Sequence, residues 1–146
     1  TINSEFGGEF KMSLYQNQIE YAEHIVLQKG DVKPGSPTLV RMHAHNILGD
    51  SLGIGKSGEL QKSMEIIAKE ENGVIVIIRA PNRAAVSNII LPDSANKDGE
   101  LREYGIGAQI LLDLGINDMI LLTNSNKSII GLEGYDLQVV DKREIK

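Results

Sequence analysis

Cysteine and tryptophan are both absent from the 146 residues. Without cysteine there is no disulfide framework, no thiolate nucleophile and no thiolate-held zinc. Aromatic residues make up 4% of the chain, so Ile, Leu, Val and Ala must fill the core. Lys and Arg form no block beyond two or three neighbours, and the formal net charge is -5. That balance excludes the basic face a phosphate backbone requires, and no nucleic-acid partner is expected. The longest apolar runs, such as Val74 to Ile78, fall far short of the about 20 residues that cross a bilayer. No membrane partner is expected, no secretory leader is visible, and the reading is a cytoplasmic protein.

What is present describes one globular domain. Apolar residues are 41% and charged residues 24%, ordinary proportions for a single hydrophobic core. Thr1 to Lys11 carry two Glu-Phe pairs around Gly7-Gly8 without an apolar period. They read as a leader of vector origin outside the fold, with the domain proper over 12–146.

Between Gln16 and Leu27 an apolar pattern ends in His24-Ile25-Val26-Leu27, and Gly30-Asp31 and Lys33-Pro34-Gly35-Ser36-Pro37 follow as turn chemistry. This predicts a strand, a turn and a second strand over Thr38 to His43, paired as a hairpin. Gly49 to Gly58 holds four glycines in ten residues and reads as irregular. Leu60, Met64, Ile67 and Ala68 then share one helical face, with Ser57 as N-cap and Gly73 as stop. Val74 to Ile78 is a β-branched run suited to a strand covered on both faces, the expected centre of the sheet.

Ala84 to Leu91 is ambiguous, and Pro92 to Gly99 reads as a polar loop. Leu101, Tyr104, Ala108, Leu111 and Leu112 mark a second helix closed by Gly115. Met119 to Leu122 is another buried strand, Thr123 to Asn126 a candidate helical cap, and Leu137 to Val140 a last strand. Helices alternating with buried strands predict an α/β fold, a layered domain with a parallel or mixed sheet and flanking helices.

Three constellations carry candidate chemistry. Gly53-Ile54-Gly55-Lys56-Ser57-Gly58 has the letters of a dinucleotide fingerprint but does not directly follow a strand. It also misses the phosphate-loop spacing, since five residues rather than four separate Gly49 from Gly55. It is a loop leading into a helix, or a place where Lys56 and helix-start N–H groups hold a phosphate. His43 and His45 lie two apart on a strand, so both rings face one way; they are polar strand-end residues or, with His24, metal donors. Glu100, Arg102 and Tyr104 alternate at a helix start, either as ordinary dipole-favoured chemistry or as a grip on a nucleotide phosphate.

Several segments resemble a known family in order and spacing. Arg102-Glu103-Tyr104-Gly105-Ile106-Gly107-Ala108-Gln109-Ile110-Leu111, Leu114-Gly115-Ile116, Leu121-Leu122-Thr123-Asn124 and Gly131-Leu132-Glu133-Gly134-Tyr135 are similar to the C-terminal half of GTP cyclohydrolase II. His24 to Asp31, Val40-Arg41-Met42-His43 and Leu48-Gly49-Asp50 are similar to its N-terminal half. The similarity runs from about Glu20 to Val140.

The resemblance implies an ancestral reaction of riboflavin biosynthesis. In the family, zinc held by three cysteines activates water against C8 of guanine, formate leaves, and an arginine nucleophile releases pyrophosphate. Arg102 falls on that arginine, Glu100 on a catalytic aspartate and Thr123 on a nucleotide-binding threonine. Arg41 and His43 fall on the strand that contacts substrate. Arg79 and Arg83 match arginines of a Gln-Glu-Gly-Arg loop, and Lys127 stands one residue before an expected lysine. The family's His-Ser-Glu-Cys stretch reads His43-Ala44-His45-Asn46, and its Cys-x-Cys loop has become Gly53 to Gly58. The segment between Arg83 and Glu100 is too short for the family's helix with its catalytic tyrosine.

The expectations are therefore no zinc or other cofactor, no metal site and no zinc-dependent ring opening. A structural or regulatory role follows, with residual pyrophosphate-releasing or other-metal hydrolysis, or plain nucleotide binding, as alternatives. GTP or a related nucleotide, a homodimer and a fused dihydroxybutanone phosphate synthase domain are the partners the resemblance implies.

Overall fold

The computed structural model of the chain describes residues 1–17, 22–79, 85–90, 96–126, 132 and 134–146, with side chains at all of these except 85, 88, 89 and 96–102. The strands are β1 (Ile2–Ser4), β2 (Gly8–Asn17), β3 (Ala22–Lys29), β4 (Thr38–Ala44), β5 (Gly73–Ile78), β6 (Asp118–Leu122) and β7 (Gln138–Arg143). The helices are α1 (Ile47–Leu52), α2 (Glu59–Ala68), α3 (Ala85–Ile90) and α4 (Asn96–Asp113). The strands form one mixed sheet in the order β1-β2-β3-β5-β4-β6-β7. Pairing is antiparallel from β1 through β3 to β5, and parallel from β5 through β4 and β6 to β7. The α/β layered architecture and the central place of the Val74–Ile78 run are as the sequence indicates.

The period-two alternation of a strand divides the core in two. Val74, Val76 and Ile78 of β5 join Val26, Val40, Met119 and Leu121 on the face covered by Ala108, Ile110 and Leu111 of α4. Ile75 and Ile77 join Leu27, Leu39 and Leu122 on the opposite face, beneath Met64 and Ile67 of α2. Every residue of β5 is buried, which is why the run is apolar without alternation. The two helices thus cover opposite faces, and the parallel strands end together at one edge between them.

Some expectations are corrected. The anticipated hairpin does not form, because β5 lies between β3 and β4, antiparallel to the first and parallel to the second. Turn residues at 30–37 redirect the chain without pairing its flanks. Residues 1–11 are not outside the fold: β1 and the start of β2 pair, and Phe10 is 2% exposed in the α2-side core. Gly49 lies inside α1, and Asn96 to Gly99 belong to α4, so Glu100 is not at a helix start. The N-cap of α2 is Gly58, with no side-chain cap, and Gly73 opens β5 while Lys69 ends the helix. Gly115 does close α4: at φ +85 it donates to Leu112 O while Ile116 donates to Leu111 O, a left-handed stop. Among the described residues no helix is long and apolar enough to cross a membrane.

Candidate functional site

The carboxyl ends of parallel strands leave unpaired backbone and diverging connections, so ligand clefts form there. Here β4 and β5 end at Ala44 and Ile78 and Thr123 follows β6, and these three residues line a cleft of about 350 Å³. Arg41, His43, Asn46, Asp50, Lys56, Glu59 and Tyr104 complete most of its polar wall.

Alternation on β4 sends Arg41 and His43 to the α2 side. Arg41 is 8% exposed and His43 6%. Arg41 donates from Nη1 to Leu122 O at 3.4 Å, and from Nη2 to Glu59 Oε2 at 3.2 Å and to His43 Nδ1 at 3.3 Å. Its Nε has no partner among the described residues. A buried guanidinium needs such partners to keep its charge. Burial lowers the Arg41 pKa, and the fields of Glu59, Asp50 and Tyr104 counter it.

Because His43 Nδ1 accepts from a guanidinium, the ring proton sits on Nε2, which donates to Asp50 Oδ2 at 2.8 Å. This network fixes the neutral tautomer. Burial pushes the His43 pKa below its usual range; Asp50 opposes that shift, while Arg41 adds to it.

The next turn is held by Asn46. Its extended backbone ends the strand, and its Oδ1 accepts from Leu48 N at 3.0 Å and Gly49 N at 3.3 Å as the N-cap of α1. Asp50 reaches back, its Oδ2 accepting the Asn46 N–H at 3.0 Å, a reciprocal arrangement related to a capping box. Gly53 in the left-handed conformation ends α1, and Ile54 N–H returns to Leu48 O at 2.9 Å. A Cβ at Gly49 would collide with the carbonyl of Lys56, so the absence of a side chain lets the 54–56 loop lie on α1. Lys56 is thereby carried to the cleft.

Just past β6, Thr123 is 2% exposed; its hydroxyl accepts Ser125 N–H at 3.1 Å and donates to Ser125 O at 3.2 Å.

Of the residues singled out from sequence, Arg41, His43 and Thr123 meet in this cleft. Arg83 and Lys127 lie outside the described residues, and Glu100 and Arg102 are placed only as positions on α4, their side chains likewise outside the description. Arg79 follows β5 and donates its backbone N–H to His24 Nδ1 at 3.0 Å. The three histidines do not converge: His24 is buried within β3, and His45 is exposed past the end of β4. Asp50 and Glu59 were missed as functional candidates. The one local signal was an acid four residues after an N-cap Asn.

These features define a class: a mixed-sheet α/β domain with a polar, charge-bearing cleft at the carboxyl ends of its parallel strands, of a size that suits a small-molecule ligand. Comparison supplies the family. The GTP cyclohydrolase II family matches residues 1–144, and the chain belongs to it. The riboflavin biosynthesis protein RibBA of Bacillus cereus is 36% identical over 160 aligned positions, which cover 97% of this chain and 40% of that protein. The protein of the same name from Chlorobium phaeovibrioides is 35% identical over 153 positions, covering 92% of this chain and 37% of its own. The chain spans about two-fifths the length of the curated relatives it matches.

A zinc centre of the family's kind needs three thiolates, and the residues here do not fit one. Asn46, which the resemblance sets at the first ligand position, has its Oδ1 committed to the start of α1. The 53–58 loop offers glycines, Ile54, Lys56 and Ser57. Among the described residues no three His, Cys, Asp or Glu side chains are grouped to hold a metal ion.

Proposed function

We propose that the chain is a GTP cyclohydrolase II-like domain of riboflavin biosynthesis that takes a GTP-type nucleotide in its cleft and does not carry out zinc-dependent ring opening. Its role is structural or regulatory, within a larger protein that also carries a dihydroxybutanone phosphate synthase domain. In this reading the domain is a cytoplasmic homodimer.

The observation that carries the proposal is the juxtaposition in one cleft of Arg41, His43 and Thr123 with Asn46 and Lys56. Polar groups suited to a nucleotide persist around a place where no soft donor remains to lower the pKa of a water. On resemblance, Arg83 and Lys127 are assigned to nucleotide binding, and Glu100 and Arg102 to vestigial catalytic positions.

The experiment is a paired assay on purified protein with zinc supplied. GTP is expected to yield no formate and no diaminopyrimidine absorbance, yet to raise the unfolding temperature. At a hundred times Kd a ligand adds about 2.7 kcal/mol, several degrees for a domain this size. Formate release would overturn the loss of ring opening, and the lack of any thermal shift at millimolar GTP would overturn nucleotide binding.

A further inference from the structure

Charge accounting in the cleft leaves one group over. Glu59 is tied to Arg41 at 3.2 Å. Asp50 accepts two hydrogen bonds, from neutral His43 and the Asn46 backbone, and Glu103 at the rim is also engaged. Lys56 lines the same cleft with no carboxylate within ion-pairing distance among the described residues. An ammonium on a surface loop ordinarily roams. The Lys56 side chain is exposed, but its backbone belongs to a segment held at two points, by the Ile54 N–H to Leu48 O bond at 2.9 Å and by the close approach of the Lys56 carbonyl to Gly49.

We propose that Lys56 is the direct partner of an oxyanion, a phosphoryl or carboxylate group, on the ligand of this cleft, and that the contact requires no divalent ion. The inference rests on the reading of the cleft as a nucleotide site and adds a named contact to it. Lys56 is exposed at the cleft, and an ammonium beside low-dielectric walls attracts an anion more strongly than one in bulk water. A charge-assisted N–H···O contact supplies direction as well as field. Arg41 is buried and gives three of its five N–H groups to Leu122 O, Glu59 and His43, which leaves it Nε and one Nη1 N–H.

The test is calorimetric titration in buffer containing EDTA, with inorganic pyrophosphate, malonate and GTP as separate ligands. The proteins are the wild type, Lys56→Met, Lys56→Arg and, as an exposed control on α2, Lys62→Met. Lys56→Met is expected to weaken pyrophosphate or malonate about tenfold or more, whichever the wild type holds, while Lys56→Arg stays within about threefold. Lys62→Met is expected to match the wild type, and melting curves to coincide for all four proteins. Equal anion affinity in wild type and Lys56→Met, binding only after magnesium is restored, or binding of neither anion would each overturn the inference. GTP held equally by wild type and Lys56→Met leaves the nucleotide reading standing and removes Lys56 from it. Anion binding that follows Lys56, with no GTP binding at all, does the reverse.

Discussion

His43 Nε2 and Asp50 Oδ2 are 2.8 Å apart, and that one carboxylate oxygen also accepts the Asn46 backbone N–H at 3.0 Å. A strand end and a helix start are therefore joined through a single acceptor. The Asp50 side chain is 8% exposed, so its removal leaves two donors with little access to water. Asp50→Ala is expected to cost about 3 kcal/mol in urea unfolding at neutral pH. Asp50→Asn is expected to lose less, because an amide oxygen can stand in for the single oxygen that accepts both bonds. A loss under about 0.5 kcal/mol for the alanine variant would sink the claim that this acceptor holds the cleft wall.

The burial that depresses the His43 pKa makes stability depend on pH with a definite sign. An unfolded histidine binds its proton near pH 6.5, whereas the folded ring resists until lower pH. Between those values the unfolded state carries more protons, so stability is full above about pH 6.5 and declines as pH falls through the depressed value. Protonation also ends acceptance from Arg41 by Nδ1. Wild-type unfolding free energy is thus expected to fall from pH 7 to pH 5 more steeply than that of His43→Gln. Parallel curves for the two proteins would assign the decline to other groups.

The sequence displayed β5 and both long helices because their signals are local. A β-branched run needs cover on both faces, and Leu60, Met64 and Ile67 repeat at the helical period whatever lies beneath. Strand partners were hidden, since β3 prefers β5 over β4 for reasons held in the whole sheet rather than in residues 30–37. Helix α1 was masked by Gly49, whose helical cost is offset by a contact seven residues onward. Residues 2–4 and 8–10 looked like leader because Phe10 is buried by α2-side neighbours far along the chain. In the site, Arg41, His43 and Thr123 were legible through resemblance. Asp50 and Glu59 were not, because their partners lie across turns that only the fold closes.

Tyr15 on β2 donates to Asp113 Oδ2 at 2.8 Å, joining the antiparallel half of the sheet to the last residue of α4. Burial, the hydrogen bond to Asp113 and its charge together push the phenol up to about 12. The unfolded chain loses that proton near pH 10. Stability from this group is therefore intact below pH 10 and is lost as pH rises towards 12. Spectrophotometric titration is expected to show a late phenolate component that disappears in Tyr15→Phe. An unchanged titration curve in that variant would refute the link.

Gly49→Ala reverses the usual expectation for a helix. Alanine in a helix interior is normally more stable than glycine by about 1 kcal/mol. At this position the new methyl would meet the Lys56 carbonyl, a backbone atom that no rotamer change can move aside. The 54–56 loop must then lift from α1, stretching the Ile54 to Leu48 hydrogen bond and displacing Lys56 from the cleft. The substitution is expected to cost about 1–3 kcal/mol, the range for overpacked sites, and to weaken pyrophosphate binding in the same direction as Lys56→Met. If chemical unfolding instead shows the stabilisation that propensity predicts, the loop is not seated on α1, and Lys56 loses the rigid mounting on which its assignment depends.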